Sequence, residues 1–345
     1  MNRLSLQGKV QTVLGVIEPE ALGATLMHEH ILLDINPPSA PLPTKPEPEI
    51  SLANLFALNY QRVVHFGNAR LDDKTVAIDE LDRLRKSGGK TVVELSCGGL
   101  KPDPIGLREI SKATGVNVVM GGGHYVQEFQ DPANMGRTAD SFAEEMIEQV
   151  HKGAWGTDVK VGIFGEIGCS KPWTDLEKRV MQGAVVAQQE TGVAISVHVA
   201  LLPDQPQEVI GFIKAAGGNV ERTVISHIDR TVQDEERLFR LAGTGCTIEY
   251  DYFGNEKTYW PIGKVDLPND GVRLKFIRKL IDRGHLSQIA ISHDLCRKTR
   301  LVKFGGHGYG HIFDNVLPLM RARGFSETEI DAILVQNPRR LLTIA

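Results

Sequence analysis

Short apolar runs rich in β-branched residues alternate along the chain with stretches whose apolar positions recur every three to four residues. The apolar runs predict strands over 25–30, 91–97, 117–121, 160–166, 194–198, 223–227, 246–250 and 289–294. Helical periodicity between them predicts helices over 76–87, 141–152, 175–190, 208–216, 235–242 and 272–283. Strands separated by helices pair in parallel through right-handed crossovers. Eight such units in 345 residues predict an α/β fold, a (β/α)8 TIM barrel in preference to an open doubly wound sheet. The whole of 1–345 reads as one barrel domain with one large core.

Local signals support the helices. Thr174 and Glu177 form a T-x-x-E capping box, Leu176, Val180, Ala184 and Ala187 share one face, and Gly192 stands as the C-terminal cap. Before the first strand, residues 10–14 predict a short extra strand at the barrel floor. Residues 37–48 hold six of the 17 prolines (Pro37, Pro38, Pro41, Pro43, Pro46, Pro48) and fit neither a helix nor a central strand. They predict a long first βα loop, at about 35–70, lying over the barrel mouth.

Composition narrows the class. Forty-one per cent hydrophobic and 24 per cent charged residues exclude disordered and collagen-like chains. A net charge of −4, without Lys/Arg tracts, argues against nucleic acid as the main partner. No apolar run reaches the ~20 residues of a membrane span, and the opening residues 1–9 lack the apolar segment of a secretory signal. Four cysteines (Cys97, Cys169, Cys246, Cys296), none in CxxC spacing, fit reduced thiols in a cytoplasmic enzyme.

The positions of certain His, Glu and Asp residues carry the chemistry. His28 and His30 stand two apart at the end of the first strand and so point the same way. Glu166 ends strand four, His198 strand five, His227 strand six and Asp294 strand eight. Each alone is as readily a hydrogen-bonded polar group at a strand end. Together they converge on the rim where barrel active sites are built. Imidazole with carboxylate suits Zn²⁺, Mn²⁺ or Fe²⁺, and six ligands exceed the three that a single catalytic zinc takes from protein. Two divalent metal ions per chain, sharing one bridging carboxylate and one bridging hydroxide, fit that count better.

These residues, with Val10-Gln11-Thr12-Val13-Leu14-Gly15, Gly165-Glu166-Ile167-Gly168-Cys169-Ser170, Ser226-His227-Ile228-Asp229-Arg230-Thr231, Glu249-Tyr250-Asp251 and Gly305-Gly306-His307-Gly308-Tyr309, are similar to the phosphotriesterase family of the amidohydrolase superfamily nearly end to end. The resemblance implies a binuclear hydrolase, with His28, His30 and Asp294 holding a buried metal, most readily zinc, and His198 and His227 a more exposed one. Family members acting on phosphotriesters or lactones bridge the metals with a carboxylated lysine on strand four. Here Lys160 lies too low on that strand, and Glu166 takes the bridging place, as in the glutamate-bridged branch. Relatives in that branch resemble hydrolases of N-acetylated amino compounds, N-acetyltaurine in particular. Two cations lower the pKa of a bridging water from about 15.7 to about 7. Asp294 then serves as the catalytic proton acceptor and donor, and Asp229 either relays that proton or forms a salt bridge to Arg230.

A cationic rim of Arg230, Lys298, Arg300 and Lys303 after strands six and eight would attract a small anionic substrate, and Tyr125 after strand three would orient a substrate oxygen. Arg230, Lys298 and Tyr125 are the candidate substrate contacts. His307, in the 304–310 glycine-rich loop, is a further candidate, with a loop hydrogen bond as its alternative. Ser87-Gly88-Gly89-Lys90-Thr91 is no phosphate loop, because Leu84 stands at the required glycine and the segment precedes a strand. The competing functions are a lactonase or organophosphate hydrolase, against which Glu166 speaks, and a barrel that binds a ligand without turnover. A homodimer is what the family resemblance implies.

Overall fold

The computed structural model describes residues 6–60, 65–256 and 265–345. Of the opening stretch read against a secretory signal, residues 1–5 lie outside the described residues. Eight strands form one parallel sheet in sequential order: β1 (Thr25–Glu29), β2 (Thr91–Glu94), β3 (Asn117–Gly122), β4 (Ile163–Gly168), β5 (Ile195–His198), β6 (Thr223–Ile225), β7 (Thr247–Tyr250) and β8 (Ile289–Ile291). The sheet curls so that β8 meets β1 at the barrel's upper rim. There Asp294 N donates to His28 O at 3.1 Å, and His28 N donates to Ser292 Oγ at 2.9 Å. The predicted (β/α)8 barrel is the observed architecture.

The helices that cover the sheet are α1 (Lys74–Ser87), α2 (Pro104–Thr114), α3 (Ala139–His151), α4 (Asp175–Thr191), α5 (Gln205–Ala215), α6 (Glu235–Ala242), α7 (Asp270–Asp282) and α8 (Leu317–Ala322). In α4 the Thr174–Glu177 capping box is present, and Leu176, Val180, Ala184 and Ala187 are buried against the sheet. Burying such side chains contributes about 1.5–3 kcal/mol for each large aliphatic one. Gly192 ends α4 in the left-handed conformation (φ 76°), and a Cβ there would meet the carbonyl of Ala345 at 2.3 Å. Val10–Thr12 pairs with Gly15–Ile17 as a hairpin. Val10 packs with Leu22, Met27, Val93, Val119, Ile163, Val224 and Leu341 in the barrel's inner core, so the extra strand forms the floor.

Most strands are shorter than the apolar runs suggest, but β3 runs on to Gly122 and β4 continues past Glu166 to Gly168, so Glu166 does not end its strand. β6 ends at Ile225 and β8 at Ile291, so His227 and Asp294 stand beyond the ladder instead of on it. β4 begins at Ile163, three residues past Lys160. The pairing of β1 with β2 is irregular between Leu26 and Glu29, and that of β4 with β5 between Phe164 and Ile167. Irregularities of this kind re-aim side chains next to active sites, and these two fall on the segments that hold His28 and Glu166.

The proline-rich segment is irregular over 35–51 and then forms a helix, Leu52–Tyr60, that the sequence pattern did not predict. Phe56, Asn59 and Tyr60 of that helix line one cavity with Gly254, Thr299, Arg300 and His307, which places the first βα loop over the loops after β7 and β8. All four cysteines are buried and unpaired. Among the described residues, no helix is long and apolar enough to cross a membrane.

Candidate metal centre

β1 carries His28 into the barrel interior and releases His30 just past its last residue; both side chains are buried. Nε2 of His30 lies 3.2 Å from Asp294 Oδ1 and 3.5 Å from Glu166 Oε1. Nε2 of His28 lies 3.5 Å from Glu166 Oε2 and 3.8 Å from Asp294 Oδ1. On the other side of Glu166, His198 Nδ1 stands 2.8 Å from Oε2, and His227 Nε2 stands 3.4 Å from that oxygen and 2.8 Å from His198 Nδ1. Glu166 thus presents Oε1 to His30 and Oε2 to the other three histidines. All six sequence-predicted groups meet at one point.

His227 and Asp294 reach it on strained backbone. Their φ angles are 62° and 48°, in the left-handed region that non-glycine residues enter at a cost of order 1–3 kcal/mol. His227 is held by its own amide, which donates to Asp251 Oδ2 at 3.0 Å, and Asp294 by its bond to His28 O.

Hydrogen bonds behind the rings decide which nitrogen faces the centre. His227 donates from Nδ1 to Asp251 Oδ1 at 3.0 Å. Ser96 donates to Glu94, so its oxygen accepts from His30 Nδ1 at 3.0 Å. The outer nitrogen of His198, Nε2, lies 3.4 Å from the Tyr125 hydroxyl and 3.5 Å from Arg230 Nη2. Arginine only donates, so Nε2 meets Arg230 as an acceptor, while Nδ1 donates to Glu166 Oε2 at 2.8 Å. His227 and His30 therefore each turn a lone pair inward, the arrangement in which carboxylates and hydroxyls orient metal-binding imidazoles.

The donor set fits divalent cations. His28 Nε2 is buried with no hydrogen-bond partner among the described residues, although two carboxylate oxygens face it. Two atoms about 2.1 Å from one tetrahedral ion stand roughly 3.4 Å apart, close to the spacings around His28 and His30. His28, His30 and Asp294 form one group that could hold an ion, and His28, Glu166 and His227 another. Electrostatics agree. Burial alone would raise Glu166, but His198 and His28 beside it hold its carboxyl well below the usual range. Asp294 is likewise lowered against burial, by the bond to His30 and by the charge of His28 and His227. Burial, aided by His227 and Arg230, drives His198 down to about 4, so its ring is neutral near pH 7.

The candidate substrate contacts divide. Tyr125 stands beside His198 with ring centroids 4.8 Å apart, and Arg230 reaches the same ring while Nη2 donates to Val199 O at 2.9 Å. Lys298 is turned away, its ammonium 3.0 Å from Asp72. Lys303 is 3.9 Å from Asp73. Arg300 faces inward instead, donating to Asp294 O at 2.6 Å. Asp229 Oδ2 accepts from Tyr252 N and from Arg273 Nε, at 2.9 and 2.8 Å, so its ion pair is with Arg273 and not with Arg230.

Glu249 and Asp251, part of the Glu249-Tyr250-Asp251 motif but given no role by the sequence, support the centre. Asp251 lies one residue past β7 and supports both His227 and His28. Glu249 Oε2 lies 3.6 Å from His28 Nδ1 and accepts from Ser226 Oγ at 2.8 Å. A carboxylate at the end of an apolar strand is the sequence signal for Asp251.

Residues 8–342 match the Phosphotriesterase family. The chain belongs to the phosphotriesterase family. This chain is a hydrolase, and members of this family use divalent metals. It is 39% identical to the N-acetyltaurine hydrolase of Xenopus tropicalis, over 98% of this chain and 99% of that one. The human N-acetyltaurine hydrolase is 37% identical over the same shares. A resiniferatoxin-binding protein from Rhodobacter sphaeroides superposes with a TM-score of 0.92 at 33% identity, covering 98% of this chain and 96% of that one. A phosphotriesterase homology protein from Escherichia coli, complexed with phosphate in its active site, superposes with a TM-score of 0.76 at 26% identity, covering 93% and 99%.

Proposed function

We propose that this phosphotriesterase-family chain is a binuclear metal-dependent amidase that cleaves small anionic N-acyl amino compounds, such as N-acetyltaurine or N-acetyl amino acids. The observation that carries the reading is the place of Glu166, one carboxylate with an oxygen toward His30 and an oxygen toward His28, His198 and His227. The N-acetyltaurine hydrolases at 37–39% identity support the substrate class.

His28, His30 and Asp294 would hold one ion, His198 and His227 the other, with Glu166 shared. The nitrogen and oxygen donors suit zinc, with manganese or iron as alternatives. When bound, two such ions would supply hydroxide near neutral pH and polarise the acyl oxygen. Asp294, kept anionic by His30 and its neighbours, takes the proton of the attacking water and returns it to the leaving amine. Tyr125 and Arg230 beside His198 orient the substrate's oxygen atoms. Arg230 is buried, where a guanidinium attracts an anion more strongly than at the surface. Asp229, pinned by Arg273, positions the loop after β6. A cytoplasmic location fits four buried thiols.

The test is a panel of N-acetyltaurine, N-acetyl amino acids, lactones and paraoxon assayed with Zn²⁺ or Mn²⁺. Turnover of the amides is expected. Turnover of lactones alone would overturn the amidase reading, and no turnover at all would favour a binding protein.

A further inference from the structure

We propose that a cavity of about 420 Å³ ending on Arg300 is the subsite for the amine-side half of the substrate, and that it takes N-acyl amino acids with an apolar side chain. The inference rests on the amidase reading and assigns it a specificity residue. Phe56, Tyr60, Asn255, Thr299, Arg300 and His307 line the cavity. Its volume lies within the range of about 300–1,000 Å³ typical of small-ligand pockets, more than the sulfoethyl group of N-acetyltaurine fills.

Arg300 joins this cavity to the metal centre. Its Nη1 donates to the carbonyl of Asp294, and its guanidinium carbon is 5.7 Å from the ring of Tyr252, which in turn lies 5.8 Å from that of His227. Lys298 and Lys303, its neighbours, are matched by Asp72 and Asp73. Arg300 forms no ion pair with any Asp or Glu side chain among the described residues, and the residues outside them include neither type. Asp294 and Glu29 lie close enough to favour the charge of Arg300, but no carboxylate among the described residues is paired with its guanidinium directly, and its fork suits a carboxylate or sulfonate.

Glu256 also lines the cavity, its carboxylate held by the Asp270 amide at 3.0 Å, and two further lining features suit the substrate. His307 donates from Nδ1 to Gly308 O at 2.9 Å, and its Nε2 is buried without a partner among the described residues. Burial, with His293 and His311 beside it, keeps the ring neutral, so Nε2 is an acceptor suited to a substrate N–H. On the same lining, Phe56 and Tyr60 stack with centroids 5.2 Å apart, and Phe56 is 71% exposed. A cation and an aromatic pair on one lining describe a ligand with an acid group and an apolar side chain.

The test uses zinc-loaded wild type, Arg300→Gln, Arg300→Lys and Phe56→Asp, each with its metal content measured. The substrates are N-acetyl-L-phenylalanine, its neutral carboxamide and N-acetyltaurine. Arg300→Gln should lower the acid-over-carboxamide ratio of kcat/KM about tenfold or more, and Arg300→Lys should recover part of it. Phe56→Asp should lower the ratio of N-acetyl-L-phenylalanine to N-acetyltaurine about fivefold. Unchanged ratios would overturn the subsite. If Arg300→Gln loses metal, Arg300→Lys decides, with an acid preference equal to wild type overturning the assignment. If wild type cleaves none of the amides, the amidase reading fails, and calorimetric binding of N-acetyl-L-phenylalanine to the same holoenzymes judges the cavity separately. Binding about tenfold weaker in Arg300→Gln supports it; equal or absent binding overturns it.

Discussion

Nδ1 of His28 lies 3.1 Å from the carboxylate of Asp251. The same carboxylate accepts from Nδ1 of His227 at 3.0 Å and from the His227 amide at 3.0 Å. His28 and His227 belong to opposite halves of the proposed centre, so one buried side chain orients a ligand in each. Burial opposes its ionisation, yet His227 and His28 hold its pKa far below the carboxylate range. Asp251→Asn keeps the shape but must turn an NH₂ group toward one ring. Loss of such an orienting partner typically costs about 10–100-fold in metal affinity. Both ions should become easier to strip, measured as metal per chain after dialysis against a graded chelator. Weakening of one ion alone would contradict the shared role.

Glu166 has a different part, because it faces all four histidines. Glu166→Ala should leave at most one ion per chain, as elemental analysis would show. Retention of two would refute the bridge.

How far the pattern alone could reach is clear from particular residues. His28, Glu166 and His198 were legible because each closes a long apolar run, and the barrel rule then places such residues on one rim. His227 and Asp294 were legible as positions but not as conformations, since apolar runs do not reveal that the backbone turns left-handed after Ile225 and Ile291. Lys298 and Arg300, two residues apart, look alike in sequence. Only the fold brings Asp72, more than 200 positions away, against Lys298 and leaves Arg300 on the centre. The helix Leu52–Tyr60 stayed hidden because the prolines before it dominate the reading of that loop.

Glycine packing behind β4 sets a stability test. A Cβ on Gly121 would stand 2.1 Å from the carbonyl oxygen of Gly165, the residue before Glu166. Backbone cannot yield as a flexible side chain does. Gly121→Ala should cost about 1–3 kcal/mol in urea unfolding, and it should lower metal content by moving Glu166. A variant of wild-type stability and metal content would contradict the close packing.

The barrel's last segment supplies a pH signature remote from the metals. The bond from Arg278 Nη2, at 2.6 Å, holds Glu329 at a pKa of about 2, and the Ser326 amide adds to it as part of a capping box. Its folded pKa is depressed, so its contribution is present above the unfolded value of about 4.3 and is lost as pH falls toward 2. Glu329→Gln should therefore cost about 1–2 kcal/mol between pH 5 and 8, with the difference from wild type shrinking below about pH 4. A difference that grows on acidification would contradict the sign.

The central claim is a pair of cations shared by Glu166. Anomalous scattering at the zinc edge from crystals of the zinc-loaded chain tests it most directly. Two peaks are predicted, one among His28, His30, Asp294 and Glu166, the other among Glu166, His198 and His227. A single peak, or peaks away from Glu166, would contradict it.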